Sequence, residues 1–109
     1  MLYRWRVKPG RELEFRQAWA EGTALIHQRC GSHGARLHQD RDGLFWSYAL
    51  WPDEATRRRC FKDSGVLDHP AFPRMQGEVV EHFDEVVLQV TDDLLDPLNA
   101  DPGTDPSTV

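Results

Sequence analysis

Four aromatic side chains follow an Asp-Gly pair within one short stretch of this chain. The stretch reads "DGLFWSYALWPD" and contains Phe45, Trp46, Tyr48 and Trp51. Aromatic rings with a few polar neighbours are the usual lining of a pocket for a flat, apolar ligand. They are as often the filling of a core or of a subunit contact. The elements around this stretch must decide between the two interpretations.

Polar side chains near those rings are of types that take part in acid–base and anion chemistry. His38 can accept or shuttle a proton near neutral pH. Ser47 and the Trp51 indole can donate hydrogen bonds, and Arg57 offers a fixed positive charge for a phenolate or a carboxylate. Each also has a structural interpretation. Arg57, for example, opens the run "RRR", which is typical of a solvated helix face.

A metal site is a weaker interpretation of the stretch "HQRCGSHG". His27, Cys30 and His33 lie three residues apart, but His33 follows Gly31 and so lies past a predicted helix end. Three ligands without a clear fourth fall short of known zinc spacings. We therefore expect no metal. His82, ahead of the last predicted strand, is interpreted as structural or exposed.

The chain has two cysteines, Cys30 and Cys60, which do not make a disulfide framework. The start of the sequence, "MLYRWRVKPG", shows no export leader, so a cytoplasmic location is the default expectation. In that reducing compartment we predict two free thiols rather than a disulfide. Whether either thiol is reactive stays open.

The elements that must position these side chains follow from the spacing of the apolar residues. Asp53 is the predicted N-cap of the second helix, Asp42-Gly43 a hairpin turn, and Gly31 or Gly34 the end of the first helix. The predicted strands are 2–7, 35–39, 44–51 and 83–90, and the predicted helices are 12–29, 54–62 and a short one at 73–81. The order β-α-β-β-α-β indicates an α+β, ferredoxin-like domain with an antiparallel sheet.

The predicted strand 44–51 is largely apolar on both of its faces. A strand of that kind is usually covered on both sides, but a single ferredoxin-like unit has helices for only one side. A symmetric homodimer is the simplest way to cover the other face.

Three segments, "YRWRVKPGRELEFRQAW", "GSHGARLH" and "DGLFWSYALWPDEA", resemble the antibiotic biosynthesis monooxygenase family of dimeric α+β barrel proteins. The resemblance covers residues 2–91. Relatives include quinone-forming oxygenases, haem-degrading enzymes and cyclases. The haem-degrading pattern is not matched here, because the first strand has no Asn and Cys60 lies near the position of a required Trp.

The resemblance implies a monooxygenase that oxidises a hydroxylated aromatic, polycyclic ones included, with molecular oxygen and needs no metal or flavin. Trp51 and His38 match a Trp and a His of those oxygenases. Ser47 stands where the family has an Asn, and Arg57 where it has a Tyr. These four are the catalytic candidates that the resemblance implies.

Pocket-facing residues are the second set of candidates. Phe45, Ala49 and Trp51 share one face of the predicted strand 44–51 and are expected to contact the aromatic substrate. Two alternatives to the oxygenase remain: a dimeric module that binds a small ligand without turnover, and a cyclase for polyketide-like substrates on the same fold.

Charge divides the chain into two parts. Of 18 acidic side chains, five lie in residues 92–109, which contain no Lys or Arg, so the domain 1–91 carries 13 acidic and 13 basic residues. A neutral body gives no field that would attract nucleic acid. The Asp- and Pro-rich residues 92–109 are predicted to be an irregular extension. No apolar run approaches the roughly 18–20 residues of a membrane helix, so no membrane partner is expected.

Overall fold

The computed structural model of the 109-residue protein describes residues 1–95. Within them, the strands are β1 (Leu2–Val7), β2 (Gly34–Gln39), β3 (Phe45–Leu50) and β4 (Val79–His82). The helices are α1 (Glu12–Cys30), α2 (Glu54–Asp63) and α3 (Ala71–Gly77), with a 3-10 turn at Val66–Asp68. All neighbouring strands are antiparallel, in the order β2-β3-β1-β4. The predicted ferredoxin-like α+β class is confirmed. Most of the predicted extension, residues 96–109, lies outside the described part.

Short polar side chains and glycines set the ends of these elements as the sequence predicted. Gly31 ends α1 in the left-handed conformation, with φ of 71°, and its backbone N–H donates to the carbonyl of His27. Asp53 caps α2 by accepting a 2.7 Å hydrogen bond from the Thr56 backbone N–H. These caps place the starts of β2 and α2, which border the cavity described below.

The hydrophobic core joins the first half of α1 to the centre of the sheet. Phe15 is fully buried, and its ring lies 5.5 Å from that of Trp5 and 5.0 Å from that of Phe45. Val7, Ala18 and Met75 complete this buried cluster. All of these side chains lie on one side of the sheet, which is the side that the helices cover.

The last strand differs from the prediction. β4 spans Val79–His82, whereas residues 83–90 form only an isolated bridge between Val86 and Leu2. The third helix accordingly ends at Gly77 instead of residue 81. The apolar alternation in 83–90 is a local signal, but pairing depends on the backbone groups that β1 leaves free, and β4 occupies those of Trp5 to Val7.

The predicted free thiols are wrong. Cys30, the last residue of α1, is bonded to Cys60 in α2, with the two Cα atoms 5.4 Å apart. Sequence spacing gave no sign of this bond, since it depends on α2 packing beside the C-terminal end of α1. The bond makes a covalent connection between two helices that border the cavity.

Opening this bond should lower stability. The bond closes a loop with a sequence separation of 30 residues. In the chain-entropy picture, a loop of that length corresponds to about 3–4 kcal/mol of unfolding free energy. We expect reduction, or the Cys30→Ala/Cys60→Ala double variant, to lower the free energy of unfolding by about that amount in urea titrations. Two titratable thiols in the denatured protein without reductant would contradict the bond.

Among the described residues, none of the helices has the length and apolar character needed to cross a membrane.

Candidate functional site

A cavity of about 410 Å³ lies between the helix-facing side of the sheet and the helices. Its floor includes Tyr3 and Trp5 on β1 and Ser47 and Ala49 on β3. Tyr3 pairs directly with Ser47 across the two strands. Because alternate residues of a strand point to the same face, the four side chains form one continuous surface.

The roof of the cavity comes from all three helices. Gly22 and Ile26 of α1, Phe61 of α2 and Phe72 of α3 line it. A Cβ atom at Gly22 would lie 3.1 Å from Cε1 of the Phe72 ring, which is tighter than an ordinary contact. The absence of a side chain at Gly22 therefore allows the Phe72 ring to close over α1.

Four of the predicted site residues do line this cavity: Ser47, Ala49, Trp51 and Arg57. Ser47 and Ala49 are buried in the floor. The Trp51 ring meets the Phe61 ring edge-on, with centroids 5.9 Å apart. The fold thus brings these four side chains together, although Ser47 and Ala49 lie in β3, Trp51 follows that strand and Arg57 lies in α2.

Two predicted site residues lie elsewhere. Phe45 is 2% exposed and packs against Phe15 in the core, outside the set of side chains that line the cavity. His38 is exposed and pairs with Trp46, on the opposite face of the sheet from Ser47. The reason is strand alternation: Leu37 pairs with Ser47 and faces the helices, so its neighbour His38 faces away.

Arg57 is a buried charge with two carboxylate partners. It is 7% exposed, and its Nη2 lies 2.7 Å from Oε1 of Glu85, while its Nε lies 3.6 Å from Oε2 of Glu54. Its guanidinium also lies 5.7 Å from the centroid of the Phe61 ring. Buried charges require such compensation. The solvated-face interpretation of "RRR" holds for Arg58, whose side chain is 72% exposed, but not for Arg57.

Four buried polar atoms of cavity-lining residues lack hydrogen-bond partners among the described residues: the Tyr3 hydroxyl, the Trp51 Nε1 and the Nε atoms of Arg4 and Arg57. The Tyr3 hydroxyl and the Trp51 Nε1 are both shut off from solvent and unpaired. Leaving such a group unpaired costs about 1–3 kcal/mol. Neighbouring side chains cover both atoms, so a ligand would reach them only after a small rearrangement. Both groups are suited to bind an oxygen atom of a ligand.

Burial raises the pKa of Tyr3 to about 12; the positive charge of Arg57 opposes the shift, and Glu85 and Glu54 add to it. The hydroxyl therefore stays protonated at neutral pH and is available as a hydrogen-bond donor.

Several cavity residues were not singled out from the sequence. Tyr3 had a usable signal, since it alternates with Trp5 on the predicted first strand. Glu85, which also lines the cavity, had none, because the last strand was predicted in the wrong place. His82, interpreted from the sequence as structural or exposed, is exposed and also lines the cavity. Within residues 1–95, no group of three or more His, Cys, Asp and Glu side chains is placed to hold a metal ion.

Comparison with known proteins identifies structures that share this fold. No family profile and no curated protein matches this sequence, but solved structures do. SnoaB, a cofactor-independent oxygenase from Streptomyces nogalater, superposes with a TM-score of 0.64 at 23% identity, over 84% of this chain and 94% of its own. This chain has the fold of the antibiotic biosynthesis monooxygenases.

Two further structures of that kind agree. A protein of Bordetella bronchiseptica, provisionally named an antibiotic biosynthesis monooxygenase, gives a TM-score of 0.64 at 20% identity, covering 79% of this chain and 94% of its own. One of Chloroflexus aurantiacus with the same provisional name gives 0.60 at 17% identity, covering 84% and 93%. The antibiotic biosynthesis monooxygenase fold that the sequence resemblance implied is confirmed.

The unpaired Tyr3 hydroxyl leads to a stability prediction. Tyr3→Phe removes a buried polar group without changing the shape of the ring, so it should raise the free energy of unfolding by about 1 kcal/mol. Tyr48→Phe removes the same group from a half-exposed ring on the opposite face and should leave stability unchanged. Urea titrations of both variants test this. A destabilised Tyr3→Phe protein would show that the hydroxyl has a partner.

The same pair of variants tests the raised pKa. Between pH 10 and about pH 12 the unfolded chain loses the Tyr3 proton before the folded protein does, so the free energy of unfolding falls as the pH rises. The stability advantage of Tyr3→Phe should therefore be larger at about pH 11 than at about pH 9. The Tyr48→Phe variant keeps Tyr3 and should follow the parent protein. A difference that does not change with pH would contradict the raised pKa.

Proposed function

We propose that this protein is a cofactor-independent monooxygenase that oxidises a hydroxylated aromatic compound to a quinone with molecular oxygen. The observation that carries the proposal is the aromatic-walled cavity with Trp51, Ser47 and Arg57 along its wall. Its volume of about 410 Å³ lies in the lower part of the roughly 300–1,000 Å³ range of ligand pockets. That size suits a flat molecule of a few fused rings.

The chemistry asks little of the protein beyond binding and charge stabilisation. Ground-state oxygen reacts slowly with closed-shell molecules, but a phenolate can transfer one electron to it. Superoxide and the phenoxyl radical then combine at a ring carbon to give a peroxide, and loss of water from the C–H and O–OH groups leaves the quinone. One phenol and one O₂ thus give one quinone and one water.

The cavity residues supply what this series of reaction steps needs. The ring walls bind the aromatic and exclude water, which strengthens electrostatic interactions inside. Ser47 and the Trp51 indole donate hydrogen bonds to substrate oxygens. The Arg57 guanidinium favours the anionic form of the substrate. Glu85 and Glu54 hold that guanidinium in place and neutralise it in the free protein.

Titratable groups favour catalysis over the simple binding module. A site for passive binding needs only an apolar cavity, whereas this one is also lined by Arg57, Glu85 and His82. SnoaB, with the same fold, is a cofactor-independent oxygenase, which supports the same class of reaction here. The ligand-binding module and the cyclase are the outcomes that the experiment below must separate.

The decisive experiment measures dissolved-oxygen uptake by the metal-stripped protein with a panel of di- and trihydroxylated aromatics. Uptake above autoxidation, unaffected by chelator and with quinone formed in equal amount, supports the proposal. Ligand binding without uptake indicates the binding module, and conversion of a polyketide-like substrate without uptake indicates a cyclase.

Trp51→Phe should lower kcat/KM about tenfold in that assay. The change keeps an aromatic wall but removes the indole N–H, and the loss of one hydrogen bond of about 1.4 kcal/mol corresponds to that factor. Trp46→Phe is the matched control in β3, the strand that ends just before Trp51, because Trp46 faces away from the cavity and its indole N–H donates to Asp40. Unchanged kcat/KM in Trp51→Phe would assign Trp51 to packing alone.

We also propose that the protein acts as a homodimer. Trp46, Tyr48 and Leu50 form a half-buried row on the sheet face that the helices leave open, which supports a second copy there. Sedimentation or sizing at micromolar concentration should give about twice the mass of one chain. A monomer would contradict this assembly.

The proposed cytoplasmic location conflicts with the Cys30–Cys60 bond, which is of a kind that persists in oxidising compartments.

A further inference from the structure

His82 is an exposed side chain that lines the cavity from β4, at the opposite edge of the sheet from β2, which carries His38. It is the last residue of β4 and pairs with Trp5 of β1, so it lies on the helix-facing side of the sheet. Both residues line the cavity, as does Gln76 near the end of α3. Imidazole is the side chain whose ordinary titration range lies around neutral pH. His82 therefore brings proton-transfer chemistry to the cavity from the edge strand.

A hydrogen bond to Gln76 sets the protonation pattern of the His82 ring. The Nε2 atom of His82 bonds to the Oε1 atom of Gln76. An amide oxygen only accepts hydrogen bonds, so in a neutral ring the Nε2 atom must carry the hydrogen. The Nδ1 atom then keeps its lone pair and is free to accept a proton. This tautomer follows from the Gln76 amide orientation.

The other titratable groups of the cavity are less suited to accept a proton. Tyr3 stays protonated, because burial raises its pKa to about 12. Glu85 is held by Arg57, with 2.7 Å between Nη2 and Oε1. Arg4 and Arg57 are cations without an acceptor. Among the described residues that line the cavity, the neutral His82 ring thus offers a nitrogen lone pair, whereas the Glu85 carboxylate is engaged by Arg57.

We propose that His82 is the general base that deprotonates the phenolic hydroxyl of the substrate, with Gln76 as its positioning residue. The inference rests on the proposed oxygenase function and adds the proton acceptor. His82 Nδ1 takes the hydroxyl proton, which leaves a phenolate and an imidazolium. The phenolate gives one electron to O₂, and the resulting pair combines to a peroxide anion. That anion takes the proton back from His82 before water is lost.

Kinetics of two variants test the roles in catalysis. His82→Gln should lower turnover about a hundredfold or more, the usual contribution of a general base. Gln76→Glu should move the acid limb of the pH–rate profile to higher pH by about one unit, because a carboxylate stabilises the imidazolium. The charged residues that line the same cavity and could modify this shift are Arg4 on β1, Arg57 on α2 and Glu85 after β4.

A histidine away from the site is the matched control. His33 is exposed and lies outside the cavity lining, so His33→Gln should keep full turnover and the parent pH profile. Full turnover in His82→Gln, or an unmoved acid limb in Gln76→Glu, would overturn the assignment.

Nitrogen NMR tests the inference without any turnover. The His82 ring should show a protonated Nε2 and an unprotonated Nδ1 in the parent protein, and a mixture of tautomers in Gln76→Ala. Adding 1-naphthol should shift the Nδ1 resonance, whereas naphthalene, which lacks the hydroxyl, should not. These results without oxygen uptake would reject the oxygenase while keeping His82 as the hydroxyl contact. A protonated Nδ1, or equal responses to both compounds, would overturn the inference.

Discussion

The packing of Phe15 between Trp5 and Phe45 is the contact on which the rest of the site depends. It fixes the first half of α1 against the centre of the sheet. The second half of the same helix, from Gly22 to Ile26, then passes over the floor of the cavity. One helix thus has two roles along its length. The filled core under the first half of α1 holds the second half of the helix away from the sheet, which leaves the space of the cavity between them.

Strand alternation explains both the success and the failure of sequence-based site prediction. Ser47 and Ala49 were placed in the cavity because residues two apart on a strand share a face, which needs no knowledge of the rest of the chain. Phe45 shares that face, but it lies under Phe15 at the filled end of the layer. Periodicity gives the face and not the position along it. His38 was expected from the family resemblance, and the register of β2 turns it away.

Other features depend on contacts between distant parts of the chain, and these could not be read from local patterns. β4 pairs where β1 has free backbone groups and begins after a single intervening residue, Glu78, beyond the end of α3. The Cys30–Cys60 bond requires two helices to pack side by side. Arg57 belongs to an arginine run typical of a solvated surface, yet it is buried because Glu54 and Glu85 approach it from two directions. Each outcome is decided by tertiary packing, which overrides local sequence preference.

The cavity has walls of unequal strength. The disulfide connects α1 to α2, so those two sides move together and separate least. Another side is closed by the residues after β4, where the Phe83 backbone N–H donates to the carbonyl of Arg4 and the Glu85 carboxylate contacts Arg57. Segments held by few contacts open at the lowest free-energy cost. On this side the Glu85–Arg57 ion pair is the non-covalent counterpart of the disulfide. Because the Glu85 side chain is 52% exposed, salt weakens this ion pair, whereas salt leaves the disulfide unchanged.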